Sequence, residues 1–224
     1  MASNDVWILG IKMTQFGKHK DKDVLDLATE AALGALKDGG VSMKDMGVLA
    51  AGNLMGGARP IAQEIQKQIG QTGIPAFNVI NACATGATAV RTVYLSIKAG
   101  EAEMGLAVGT EQMGKMGLLG VGGGGSGKKE FTPSGRDGRV MPTEGHLGTF
   151  TMPGVFAQAG MQYLYENDDV SVEHFYKISE KNHWHSTLNP LSQYQKQFSV
   201  DEIKAAPMIS YPNTMPMCSP NTDG

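Results

Sequence analysis

Cysteine is nearly absent from this chain of 224 residues, where Cys83 and Cys218 are the only two. Two thiols exclude a disulfide framework, allow one cross-link at most and fit a reducing compartment. A dominant charge sign is lacking as well. Nineteen basic and 22 acidic side chains leave a formal net charge of −3 with both signs scattered, so there is no electrostatic footprint for nucleic acid or for an anionic membrane surface. No apolar run reaches about 18 residues, and Met1-Ala2-Ser3-Asn4-Asp5 has neither the basic nor the apolar region of a signal peptide. These absences predict a soluble, cytoplasmic protein with no membrane insertion and no nucleic-acid partner, and they favour small-molecule chemistry. Glycine, by contrast, is plentiful. Thirty glycines point to tight strand-to-helix turns and at least one long loop, in a chain long enough to bury a sizeable core.

The first half alternates regularly. Val6 to Ile11 reads as a buried strand, and Asp23 to Leu36 as a helix with Val24, Leu27, Ala28, Ala31 and Ala35 on one stripe. Strand Val48 to Gly52 follows, then a helix from Pro60 to Ile69 closed by Gly70, a strand from Phe77 to Asn81, a helix from Ala84 to Lys98, and a strand from Met104 to Gly109. A β-α-β-α-β-α-β order with continuous apolar strands predicts an α/β fold with a parallel sheet covered on both faces. From about Gly114 to Pro153 the periodicity stops in a Gly-rich stretch of the length usually kept for function or disorder. Helical patterns return at Val155 to Tyr165, Val172 to His183 and Val200 to Ala206, which makes roughly 111 to 210 an excursion able to cover the sheet's carboxyl edge.

Asn81-Ala82-Cys83-Ala84-Thr85-Gly86 puts a thiol at the junction of an apolar strand and a small-residue helix. Unpaired N–H groups and the positive end of the macrodipole stabilise a thiolate there, and the same N–H groups can receive an oxyanion. A free cysteine is more often buried and inert, so the hexapeptide alone leaves both readings open.

Other motifs carry less. Gly122-Gly123-Gly124-Gly125-Ser126-Gly127-Lys128-Lys129 comes close to a phosphate-binding loop, but Lys129 stands where a magnesium-binding hydroxyl is needed, and Pro133, Gly135 and Gly138 forbid the helix that must follow. Lys128, Lys129, Arg136 and Arg139 form a basic cluster that is either a solvated loop or an anchor for a ligand's phosphates. His183 and His185 point to different helix faces with no clustered third ligand, which argues against a metal and for a surface or helix-end role. His19, His146 and His174 are isolated, though a fold can bring a base from anywhere. Cys218 reads as a packing residue.

Asn78-Val79-Ile80-Asn81-Ala82-Cys83-Ala84-Thr85-Gly86 resembles the nucleophile segment of thiolases of the sterol carrier protein x type, also called lipid-transfer-protein thiolases. Gly10-Ile11-Lys12-Met13-Thr14-Gln15-Phe16, Thr72-Gly73-Ile74-Pro75, Gly109-Thr110-Glu111-Gln112-Met113 and Lys181-Asn182-His183-Trp184-His185-Ser186 are similar to further segments of that family, as are Asn189-Pro190 and Ser192-Gln193-Tyr194-Gln195. The resemblance implies a thiolase fold, layered α/β/α/β/α when complete, of which this chain is the first β-α half. Residues 1–110 would be the core carrying the nucleophile, 111–210 an inserted loop domain, and 211–224 the start of a truncated return to the core sheet.

By the same resemblance Cys83 is the nucleophile of an acyltransferase. It takes the acyl group of a 3-ketoacyl-CoA, with sterol-like or other lipid acyl groups in its range, and passes it to coenzyme A, as in fatty acid or steroid degradation. Coenzyme A is a substrate, and no cofactor or metal is held permanently. The Cys83 N–H would be one oxyanion donor, and the inserted domain would hold the coenzyme A tail and shape the acyl tunnel. Family members are far longer. The Gly-His-Pro histidine, the motif that holds a catalytic water and the second, acid–base cysteine have no match here, and Cys218 does not correspond to that cysteine. The expectation is a fragment, inactive alone, of an enzyme that forms dimers or tetramers through the strand at about Ala76 to Asn81. A partner chain supplying the second half is the other possibility. A thiolase-fold aldolase or condensing enzyme, and a non-catalytic subunit binding coenzyme A or lipid, remain the competing functions.

Overall fold

A computed structural model describes residues 5–54, 59–113 and 152–224. The five residues of β1, Val48–Gly52, are all buried, because β1 is the middle strand of a three-stranded parallel sheet. β2, Ala76–Val79, pairs on one side with Leu49 opposite Ala76, and β3, Gly105–Gly109, on the other with Val48 opposite Gly105. Side chains alternate across a strand, so β1 feeds two cores. Leu49 and Ala51 join Leu106 and Val108 of β3 under α1, Val24–Asp38, and α2, Ile61–Ile69. Val48 and Ala50 meet Ala89 and Val93 of α3, Thr85–Lys98, on the opposite face. This is the helix-covered parallel sheet expected from the alternation, a doubly covered half of a layered α/β fold.

Local chemistry sets the element ends. Asp23 accepts the N–H groups of Leu25 and Asp26 at 2.8 and 2.9 Å while Asp26 accepts that of Asp23, a capping box that starts α1. The buried stripe of α1 is Val24, Leu27, Ala28, Ala32 and Leu36, turned slightly from the expected Ala31 and Ala35, which are half-buried. Asn78, a polar residue inside β2, caps α2. Its Oδ1 accepts the Ala62 N–H at 2.9 Å and its Nδ2 donates to Gln63 Oε1 at 2.7 Å.

Val6 to Ile11 is not a strand. The segment has no ladder partner among the described residues, and Trp7, Ile8, Leu9 and Ile11 are exposed. Its Ile11 N–H donates to Asp38 Oδ2 at 2.9 Å, and Gly10 lies so close to the end of α1 that a Cβ there would come within 2.4 Å of Ala35 O. An apolar run specifies burial against something, and run length alone does not distinguish a paired strand from chain lying beside a helix.

The chain divides into two compact units, Met1–Gly117 with Asn221–Gly224 and Leu118–Pro220. In the first, the last residues close against the start of the chain: Asp223 pairs antiparallel with Gly17 and with Gln112. In the second, α4, Met152–Glu166, α5, Val172–Leu188, and α6, Val200–Ala205, match the three expected helical patterns. A two-stranded hairpin, β4 Met208–Ser210 with β5 Asn213–Thr214, follows, and no periodicity in the sequence announces it.

Candidate functional site at the carboxyl edge of the sheet

Chain leaving β2 turns through Asn81, makes one 3-10 turn at Ala82–Ala84, and enters α3. Ala82 has φ of +46°, the one positive value among the described non-glycine residues, at the position before the thiol. For alanine that conformation costs about 1–2 kcal/mol and needs support from its surroundings. Thr85 supplies it. The buried Thr85 hydroxyl accepts the Asn81 N–H at 2.9 Å and donates to Ala82 O at 2.7 Å. Asn81 Nδ2 donates to Thr88 Oγ1 at 3.0 Å, and Ala84 N–H to Asn81 O at 2.9 Å. The turn is stitched at both ends, and the free Cys83 thiol it carries is exposed.

Close packing holds the turn against the sheet. A Cβ on Gly52, the last residue of β1, would stand 2.4 Å from Thr85 Cγ2, and one on Gly109, the last residue of β3, would stand 2.9 Å from Gly86 Cα. The absence of side chains at two strand ends therefore lets α3 begin directly over the carboxyl edge, where open α/β sheets bind ligands.

Two more polar residues sit at that edge. Asn53, just past β1 and buried, donates from Nδ2 to Thr110 O at 2.9 Å and to Glu111 Oε1 at 3.1 Å. Glu111 Oε2 accepts the Leu54 N–H at 2.9 Å. A groove of about 160 Å3 lies beside them, lined by Asn53, Arg59, Pro60, Ile61 and the Asn78–Ile80 stretch that leads into the Cys83 turn. The sequence pattern assigns no role of its own to Thr85 or Asn53. The available signal was a hydroxyl or amide within a few residues of each strand's carboxyl end.

Among the described residues, no hydrogen bond or ring contact links another sequence candidate to Cys83. Lys128, Lys129, Arg136, Arg139 and His146 lie outside the described residues, as does the glycine-rich Gly122 to Lys129 segment. His183 is not a surface residue. It is buried, donates from Nε2 to Pro216 O at 2.8 Å, and packs edge-on against Tyr194 and Phe198 with centroids 5.1 and 4.6 Å away. Its place on the inner face of α5 was hidden because the residues that cover it come later in the chain. His185 is exposed as expected, and His174 caps α5 by accepting the Ser171 N–H on Nδ1 at 3.0 Å. His19 lies in the first unit, where its Nε2 bonds Gln15 O at 2.8 Å. Cys218 donates to Thr214 O at 3.5 Å, and burial pushes its thiol above the ordinary thiol pKa. No group of three or more metal-binding side chains occurs among the described residues, and no described helix is long and apolar enough to cross a membrane.

The family model for the thiolase N-terminal domain matches residues 6–120, a span that contains Cys83, Thr85, Asn53 and Glu111. Sterol carrier protein 2 of Homo sapiens is 34% identical over 232 residues, covering 98% of this chain and 40% of that protein. Acetyl-CoA acetyltransferase of Methanothermobacter thermautotrophicus is 28% identical over 224 residues, covering 98% of this chain and 55% of that protein. The chain thus spans about 40% of the length of the sterol carrier protein 2 relatives. Among solved structures, the Ltp2-ChsH2(DUF35) aldolase aligns over 96% of this chain and 52% of its own with a TM-score of 0.66 and 18% identity, a likeness of fold.

Proposed function

This chain belongs to the thiolase family, and from that premise we propose that it is the nucleophile-bearing part of an acyltransferase acting on 3-ketoacyl-CoA through a thioester on Cys83. The observation that carries the reading is the exposed Cys83 thiol, held on a strained and stitched turn at the carboxyl edge of the sheet, within the span the family model matches. The Cys83 thiolate adds to the 3-keto carbon. Collapse of the tetrahedral intermediate breaks the bond between C2 and C3, and the electron pair leaves on the enolate of the shortened acyl-CoA, which takes up a proton. Coenzyme A thiolate then attacks the acyl-Cys83 thioester, and Cys83 departs as thiolate. The Cys83 N–H is the proposed donor to the oxyanion.

Activation needs a base. In this sequence no Gly-His-Pro segment occurs, and three of the four described histidines are bonded elsewhere, His19 to Gln15, His174 to Ser171 and His183 to Pro216, while His185 is exposed on α5. The proposal therefore assigns the base to further polypeptide, whether continuous with this chain or a partner. A mixed assembly of that kind has a parallel in the fold neighbour, whose name joins two components. Lys128, Lys129, Arg136 and Arg139 stay the candidate anchors for the coenzyme A phosphates, and a homodimer through β2 and a cytoplasmic setting belong to the same proposal.

Incubating the complete protein that carries this chain with a short acyl-CoA should leave an acyl group on Cys83, seen by peptide mass spectrometry, and none in Cys83→Ala. Turnover of 3-ketoacyl-CoA with Cys83 never modified would sink the reading. A carbon–carbon lyase is favoured by one observation, the fold shared with the Ltp2-ChsH2(DUF35) aldolase. Alkylation of Cys83 separates the two, because it abolishes acyl transfer and leaves a lyase that forms no acyl-cysteine active.

A further inference from the structure

The acyl-transfer reading leaves unused the side chain that joins the carboxyl ends of β1 and β3. Glu111, two residues past β3, presents both carboxylate oxygens to N–H donors. Oε1 accepts from Asn53 Nδ2 at 3.1 Å and from Gln112 N–H at 3.2 Å, and Oε2 accepts the Leu54 N–H at 2.9 Å. The main chain of Glu111 is itself fixed, its N–H donating to Gly224 O at 2.8 Å and its carbonyl accepting from Gly224 N–H at 3.0 Å. Hydrogen bonds to an ionised carboxylate are about twice as strong as neutral ones, and three on one group define a geometry. What they define is the position of Asn53, whose Nδ2 has a second acceptor in Thr110 O.

Asn53 lines the groove of about 160 Å3 together with Asn78–Ile80, the stretch of the neighbouring strand that continues into the Cys83 turn. Four of its seven lining residues, Pro60, Ile61, Val79 and Ile80, are apolar, and Arg59 is turned to Glu64 in an ion pair of 2.5 Å. A small hollow whose apolar lining leads along the chain into the turn that carries the nucleophile suits alkyl carbons. We propose that Glu111 is a positioning residue for acyl selectivity: by fixing Asn53 it shapes this groove, which takes the outer carbons of a short acyl chain held at Cys83. This rests on the acyl-transfer reading above.

Glu111→Gln is the informative variant. With its oxygen kept on the Leu54 N–H, the new amide nitrogen faces the Asn53 amide, donor against donor, and flipping Asn53 forfeits the bond to Thr110 O. The rate of acylation of Cys83 is measured by mass spectrometry in the complete protein, with acetyl-CoA and with hexanoyl-CoA. In Glu111→Gln the hexanoyl rate should fall about tenfold relative to the acetyl rate, a loss typical of misplacement near a reacting centre. Asn53→Ala should give the same skew, and the double variant no more than either single one. A thermal melt confirms that each variant is folded. Equal losses for the two thioesters, or none for either, would overturn the proposal by making Glu111 a structural residue alone. A wild-type protein that neither thioester acylates would overturn the acyl-transfer reading and this proposal with it.

Discussion

The hydroxyl of Thr85 donates to the carbonyl of Ala82 at 2.7 Å, and Ala82 is the residue whose φ of +46° turns the chain toward Cys83. Strain and its restraint therefore sit three residues apart in one turn. Thr85→Val keeps the shape and removes both hydroxyl bonds, leaving the Asn81 N–H without its acceptor. It should destabilise the fold by about 1–3 kcal/mol in a urea titration, and Thr85→Ser should recover most of that loss.

Relieving the strain should act in the opposite sense. Ala82→Gly removes a cost of about 1–2 kcal/mol for alanine in the left-handed region and incurs roughly 0.5–1 kcal/mol of chain entropy, so a net gain of a few tenths to about 1 kcal/mol is expected. The midpoint of urea unfolding reads it. A clear loss of stability in Ala82→Gly would show that the positive φ is not what holds this turn in place.

Two glycines that touch across the sheet edge should tolerate alanine unequally. A Cβ on Gly109 meets Gly86 Cα at 2.9 Å, whereas a Cβ on Gly86 meets Gly109 Cα at 3.9 Å, an ordinary contact. Gly109→Ala must push α3 off β3 and should cost about 1–3 kcal/mol. Gly86→Ala, in the first turn of α3, should be neutral or slightly stabilising through helix propensity. Chemical denaturation of the two variants side by side tests the asymmetry.

Much of the sheet was legible because burial on both faces writes itself as uninterrupted apolar residues: Val48–Gly52 was readable to the residue. Val6 to Ile11 carried the same signal without the same structure, since the sequence pattern does not specify the partner across which hydrogen bonds form. At the site, Cys83 was visible through its position between strand and helix. The supports were not, because Thr85 acts on residues three and four positions back through a hydroxyl that looks like any N-terminal threonine, and Glu111 acts on Asn53 across 58 positions of sequence. His183 was misplaced for the same reason: Tyr194, Phe198 and Pro216, which bury it, lie on other segments.

The two thiols should separate by reactivity. Cys83 is exposed, whereas burial raises the pKa of Cys218, which also donates to Thr214 O. Thiolate is the reacting form, so at pH 7–8 Cys218 holds less of it than an ordinary cysteine, and the fraction grows only as pH climbs beyond the usual thiol range. Limited iodoacetamide at pH 7.5 should label Cys83 first, by peptide mapping. Labelling of Cys218 should rise more steeply with pH between 8 and 10. Equal labelling of both at neutral pH would contradict the burial of Cys218.

His183 should behave as a structural residue rather than a catalytic base. Its ring donates to Pro216 O, an acceptor shared with the Ser179 hydroxyl at 3.2 Å, and fills space between Tyr194 and Phe198. His183→Ala removes a buried ring and leaves Pro216 O with one donor, which should cost about 2–4 kcal/mol of stability. His183→Asn restores a donor but not the ring and should recover only part of it. Neither variant should change the rate at which iodoacetamide labels Cys83 in the folded protein, because the His183 ring is committed to Pro216 O. A drop in Cys83 labelling in folded His183→Asn, with a shifted pH profile, would instead make His183 part of the thiol's activation.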